Sequence, residues 1–119
     1  MTVKLANITF DCAEPARVAG FWSEALGVPV DADGNQWMQS IGRHDPAITP
    51  TMLFLAVPEP KSAKNRVHLD VVSEEREKEV LRLVELGATR VEDRDEYGIR
   101  WTVMLDPEHN EFCVAAEPS

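Results

Sequence analysis

The chain is predicted to be an α+β protein. It would comprise two β-α-β-β-β modules that form a curved mixed sheet, with the helices on the outer face. Three observations predict this. Strand-like alternation of period two twice precedes a stretch of helical spacing. Each of those stretches ends at a glycine. The interval also recurs, because Asn7 lies 20 residues before Gly27 and His68 lies 19 before Gly87. The 119 residues then form one domain, 1–119, with module one at about 1–60 and module two at about 61–119.

The first module opens on Lys4 to Cys12, where Ile8, Phe10 and Cys12 alternate with Asn7, Thr9 and Asp11. Pro15 suits the first turn of a helix, where its missing N–H costs nothing. Val18, Phe21, Trp22 and Ala25 follow at helical spacing, and Gly27 ends the run. Residues 28–50 are rich in Asp, Gly, Asn and Pro and read as turns and short strands, with Gln36 to Ile41 the best strand. Met52 to Val57 is an apolar run of strand length, stopped by Pro58-Glu59-Pro60. The polar loop after it, with Lys61, Lys64 and Arg66, is the expected boundary between the halves.

In the second module Val67, Leu69 and Val71 alternate with His68, Asp70 and Val72. Ser73 is the expected N-cap, and Glu74 and Glu75 favour the positive end of the helix dipole. Val80, Leu81, Leu83 and Val84 form the expected apolar stripe, and Glu74–Lys78 an i,i+4 pair on the solvated face. Arg90 to Glu92 reads as a short strand, Asp93 to Gly98 as a charged turn, Ile99 to Leu105 as a strand, and Glu111 to Ala115 as the last strand. A helix covers one face of its sheet, so the other faces are left to build a cavity or an interface.

Composition narrows the function. The net charge is −9, with a pI near 4.7, and a phosphate-binding surface needs clustered Lys and Arg, so a nucleic-acid partner is not expected. Nine acids and five bases fall between Glu74 and Glu96, which places much of the acidity on outer surface. No apolar run reaches the roughly 18–20 residues of a membrane span. Cys12 and Cys113 fit no metal or redox spacing and read as buried free thiols. Few cysteines and no visible secretion signal point to the cytoplasm.

The candidate chemical residues lie on the faces left uncovered. His68 is one step out of phase with the apolar positions around it, so it projects away from the helix and offers a metal ligand or a general base. Glu111 shares the open face of the last strand with Cys113 and Ala115. A carboxylate there must be paired, hydrated or bound to a cation. Asn7 occupies in module one the place that His68 occupies in module two. Two histidines and a carboxylate are a recognised metal-binding set, in which Asn is a weaker substitute for His. Trp37, Phe54 and Trp101 are either cavity-lining aromatics or core residues. His44 reads as a solvated loop residue.

Four stretches, LANITFDCAEPARVAGFWSEALG, VPEPKSAKNRVHLDV, LVELGATRV and WTVMLDPEHNEFCV, resemble the vicinal oxygen chelate superfamily, and within it the glyoxalase-like, bleomycin-resistance-type domains. Their order covers nearly the whole chain. The resemblance implies paired modules, a homodimer, and a small-molecule ligand in a concave sheet cavity. It also implies a divalent metal ion held at Asn7, His68 and Glu111, with His68 and Glu111 as the catalytic pair. The chain departs from the family pattern in three places. Asn7 stands where His or Gln is usual, and the matching position within Met52 to Leu55 offers no ligand. The family's usual glycine in the turn before the last strand is His109. Two functions follow from the resemblance. One is a metal-assisted lyase, isomerase or dioxygenase with a degenerate site. The other is a metal-free protein that binds a drug or metabolite.

Overall fold

The computed structural model describes residues 2–116. The chain divides into two compact units, Met1–Lys61 and Ser62–Ser119. Among the described residues there are two helices and seven strands in two mixed sheets, an α+β architecture. No helix among them is long and apolar enough to cross a membrane.

The first unit contains β1 (Asn7–Cys12), α1 (Pro15–Leu26), β2 (Met38–Ile41) and β3 (Thr51–Ala56). Its sheet has the order β1-β3-β2, with β1 parallel and β2 antiparallel to β3. Helix α1 begins at Pro15 and ends at Gly27, which adopts the left-handed conformation (φ 71°) and donates its N–H to the Ser23 carbonyl. Val18, Ala19, Phe21 and Trp22 are buried on the sheet side. Phe10 stacks on Phe54 at 5.1 Å between ring centroids and meets Trp22 at 5.7 Å. Phe54 is fully buried, so it belongs to this aromatic core and not to a cavity wall.

The second unit contains β4 (Leu69–Ser73), α2 (Arg76–Glu85), β5 (Thr89–Glu96), β6 (Ile99–Leu105) and β7 (Glu111–Ala116). Its sheet has the order β4-β7-β6-β5, with β4 and β7 parallel and the other pairs antiparallel. The first unit repeats this order, with a reduction. Val30 makes a single antiparallel bridge to Ile41, in the place that β5 takes beside β6. Pro29 and the Asp- and Gly-rich residues after Val30 explain why no full strand forms there.

Four expectations for the second unit need correction. Ser73 does not cap α2. It ends β4, and its hydroxyl accepts the Glu75 N–H at 3.0 Å, while Glu75 takes the N-cap position. Lys78 accordingly pairs with Glu75 at 3.4 Å and not with Glu74. The core stripe of α2 narrows to Val80 and Leu83, one turn apart, whereas Leu81 and Val84 are exposed.

The fourth correction concerns Asp93 to Gly98, where β5 runs on to Glu96. The turn is only Tyr97-Gly98, both with positive φ (56° and 73°), as a tight two-residue hairpin requires. Strand β5 carries charge along its length, and Arg94 pairs with Glu92 at 3.0 Å and with Glu96 at 3.4 Å. A bulge at Arg90/Glu92 sets the phase of β5. It turns Arg90 and Asp93 toward α2, where Arg90 binds Asp93 at 2.8 Å and Glu77 at 2.9 Å. Thr102, fully buried, donates to Asp93 at 2.7 Å and accepts from Arg76 of α2. The Thr102 hydrogen bond, and then the Arg90 contact, hold the Asp93 carboxyl below the usual carboxylate range.

Two stability predictions follow. Phe54→Ala should cost about 3–5 kcal/mol, the usual price of removing a buried aromatic, read as a lower urea midpoint at an unchanged slope. Gly98→Ala meets no neighbouring atom, so its cost should be the backbone strain alone, about 1–2 kcal/mol in the same measurement.

Candidate functional site

The side chains of sheet two separate cleanly by face. Phe112, Val114, Met104 and Thr102 are buried on the α2 side. The alternate residues line a cavity of about 560 Å³ on the opposite face. Strand register fixes its floor. Asp70 pairs with Cys113, Cys113 with Val103, and Val103 with Glu92, making one row across all four strands. Ala115, Trp101 and Arg94 form the adjacent row. The cavity therefore has a polar side on β4 and β7, an apolar centre of Ile99, Trp101 and Val103 on β6, and a charged rim of Glu92 and Arg94 on β5.

His68 lies one residue before β4, and its Nδ1 is 3.2 Å from the Asp70 carboxylate. Cys113 is buried opposite Asp70 on the neighbouring strand. One donor atom from each of His68, Asp70 and Cys113 falls within 4.8 Å of the other two, although Asp70 and His68 remain largely exposed. Burial, reinforced by the Asp70 charge and its hydrogen bond, pushes the Cys113 thiol up to about 11.

Glu111 begins β7 and lines the same cavity. Its carboxylate accepts the Asn65 backbone N–H at 3.0 Å, and the Asn65 amide donates to Asn110 at 3.0 Å. The turn that delivers Glu111 is organised by buried Asp106, which accepts the backbone N–H groups of Glu108 and Asn110 at 2.9 and 3.0 Å. His109 sits in that turn at φ 68°, a left-handed position that suits glycine.

The remaining sequence candidates belong to the first unit. Asn7 is in the first unit, where its amide donates to Thr9 at 3.1 Å. Trp37 is exposed in the loop before β2, its backbone N–H donating to the Asn35 side-chain oxygen at 2.8 Å. His44 is an exposed partner of Asp33 at 2.9 Å, and that contact lowers the Asp33 carboxyl. Of the three candidate aromatics, Trp101 lines this cavity.

A protein-family model, the glyoxalase-like domain, matches residues 7–115. The chain belongs to the glyoxalase-like domain family. No curated protein matches the sequence. Solved structures share the fold at low identity. A glyoxalase/bleomycin resistance protein/dioxygenase family enzyme from Burkholderia phytofirmans is 18% identical, with TM-score 0.77 and coverage of 96% of this chain and 98% of that one. The fosfomycin resistance protein FosX from Mesorhizobium loti is 12% identical, with TM-score 0.73 and coverage of 99% and 95%. An E126Q mutant of FosX from Listeria monocytogenes, complexed with Mn(II) and dihydroxypropylphosphonic acid, is 13% identical, with TM-score 0.77 and coverage of 99% and 93%.

Within this glyoxalase-like chain, the donors gathered at His68 are a carboxylate and a thiol. An imidazole, a carboxylate and a thiol suit a borderline-soft divalent ion such as zinc better than a hard one. Sequence reasoning missed Asp70 and Cys113 in this role, although the signal was present. His68 and Asp70 are two residues apart in one strand pattern, as are Glu111 and Cys113. What the pattern lacks is the β4–β7 register that sets the pairs side by side.

The raised Cys113 thiol has a measurable consequence. Alkylation by iodoacetamide should be slow near pH 7 and accelerate up to about pH 11, and Asp70→Asn should move the profile to lower pH. The unfolded thiol ionises first, so this group's contribution to folded stability is full below about pH 9 and lost as the pH rises toward 11.

Proposed function

We propose that this glyoxalase-like protein binds a small organic molecule in the open-face cavity of its second unit. The observation that supports the reading is the cavity itself. It has the volume of a small-molecule pocket, an apolar centre around Trp101, and polar groups at both sides. The ligand this lining favours has a flat or aliphatic body, which rests on Trp101, Ile99 and Val103. Its oxygen-bearing head meets His68 and Glu111.

The presence of His68 and Glu111 on one cavity favours an enzymatic version of this reading. An imidazole and a carboxylate are the groups needed to take a proton from a bound molecule and return it. Glu111 is anchored by the Asn65 N–H, which fixes where its carboxylate sits in the cavity. A divalent ion held at His68 would stabilise negative charge that develops on a substrate oxygen. A lyase, isomerase or dioxygenase of the glyoxalase-like kind matches these groups. The metal-free binding protein is the alternative outcome of the test below.

The test is calorimetry with a panel of planar aromatic and short-chain oxygenated acids, alcohols and amines, with and without EDTA. Binding should appear for at least one class. Trp101→Ala should weaken it by roughly tenfold or more, as loss of a buried aromatic anchor does, while Trp37→Ala leaves it unchanged. Binding that survives Trp101→Ala intact would place the pocket elsewhere. Binding that is insensitive to EDTA selects the metal-free version.

A further inference from the structure

We propose that His68, Asp70 and Cys113 form a transition-metal site of the zinc type, contained wholly within the second unit. The site extends the cavity reading above, on which it relies only for what occupies the ion's open position. Three features carry it. The donors come from two strands held in parallel register, so Cys113 is fixed directly beside Asp70. One donor atom of each residue already lies within 4.8 Å of the others. A tetrahedral zinc ion needs its ligand atoms roughly 3.5 Å apart, given metal–ligand bonds of about 2.0–2.3 Å. The remaining adjustment falls to His68 and Asp70, whose side chains are exposed and can change rotamer, while buried Cys113 stays in place.

The donor chemistry sets the class of ion. Thiolate and imidazole select zinc or cobalt over magnesium, calcium or manganese, whose preferred ligands are oxygens. The site therefore differs in kind from an all-oxygen-and-imidazole set built on Asn7, His68 and Glu111. Binding is a proton exchange: the ion enters, the Cys113 S–H bond breaks, the sulfur keeps the electron pair, and the proton leaves to solvent. The imidazole and carboxylate that now face each other at 3.2 Å become joint ligands. Three protein ligands leave a fourth position, and all three residues line the cavity, so that position is open to water or to an oxygen of the bound molecule.

The experiment is titration of the full chain with cobalt(II), followed by competition with zinc(II), without any organic ligand. A sulfur-to-cobalt charge-transfer band in the near ultraviolet should appear at one equivalent, together with release of a proton. Zinc should abolish the band. Cys113→Ser should eliminate the band, and Asp70→Asn should weaken cobalt binding by roughly tenfold or more. Asp70 is exposed, so its variant keeps the test valid even if Cys113→Ser disturbs the core. Cobalt binding without a sulfur band, or wild-type affinity in Asp70→Asn, would overturn the proposal. Organic-ligand binding is measured separately in the calorimetric panel, so either reading can fail without the other.

Discussion

A sheet has two faces, and one helix covers only one of them. This constraint orders the second unit. Phe112, Val114 and Met104 are committed to α2, and the period of two then commits Cys113, Val103 and Ala115 to the other side. The uncovered face cannot become a second hydrophobic core, since no further element of that unit closes over it. It carries instead a short apolar strip on β6 flanked by ionisable groups. The cavity and its chemistry are consequences of leaving one sheet face free.

Polar contacts on the covered face serve a different purpose. Thr102 is buried between α2 and the sheet, where it accepts from Arg76 and donates to the exposed Asp93, which in turn pairs with Arg90. Buried polar groups are tolerable when they are partnered in this way, and the partners fix where the helix lies. The same chain segment thus supplies helix-anchoring residues and cavity-rim residues in alternation. Arg90 and Asp93 anchor, while Glu92 and Arg94 face the rim.

Much of this was legible in the sequence. Pro15 and Gly27 bounded α1 because each has a backbone preference that acts locally. The alternation around Phe10 and around Val71 gave the faces of β1 and β4 correctly. Local rules failed where an outcome depended on partners distant in the chain. Phe54 could have been lining or core, and its stacking on Phe10 across the β1–β3 pair decided for core. The charged run from Asp93 to Gly98 has the composition of a turn, whereas cross-strand pairing keeps Asp93 to Glu96 in a strand. The grouping of His68 with Asp70 and Cys113 depends on the register of two strands some forty residues apart, which no local pattern encodes.

The bulge in β5 has a consequence for how such a site can change. Val91 is the extra residue that resets the alternation, so that Glu92 and Arg94 reach the cavity while Asp93 turns to the helix. Were the bulge to migrate along the strand, the faces would exchange over the distance it moved. Asp93 would enter the rim and its neighbours would leave it, with no substitution anywhere. The ligand's electrostatic surroundings are therefore encoded partly in residue identity and partly in a frame. A one-residue slip in this edge strand is a route to a new ligand preference that leaves the row of Asp70, Cys113 and Val103 untouched.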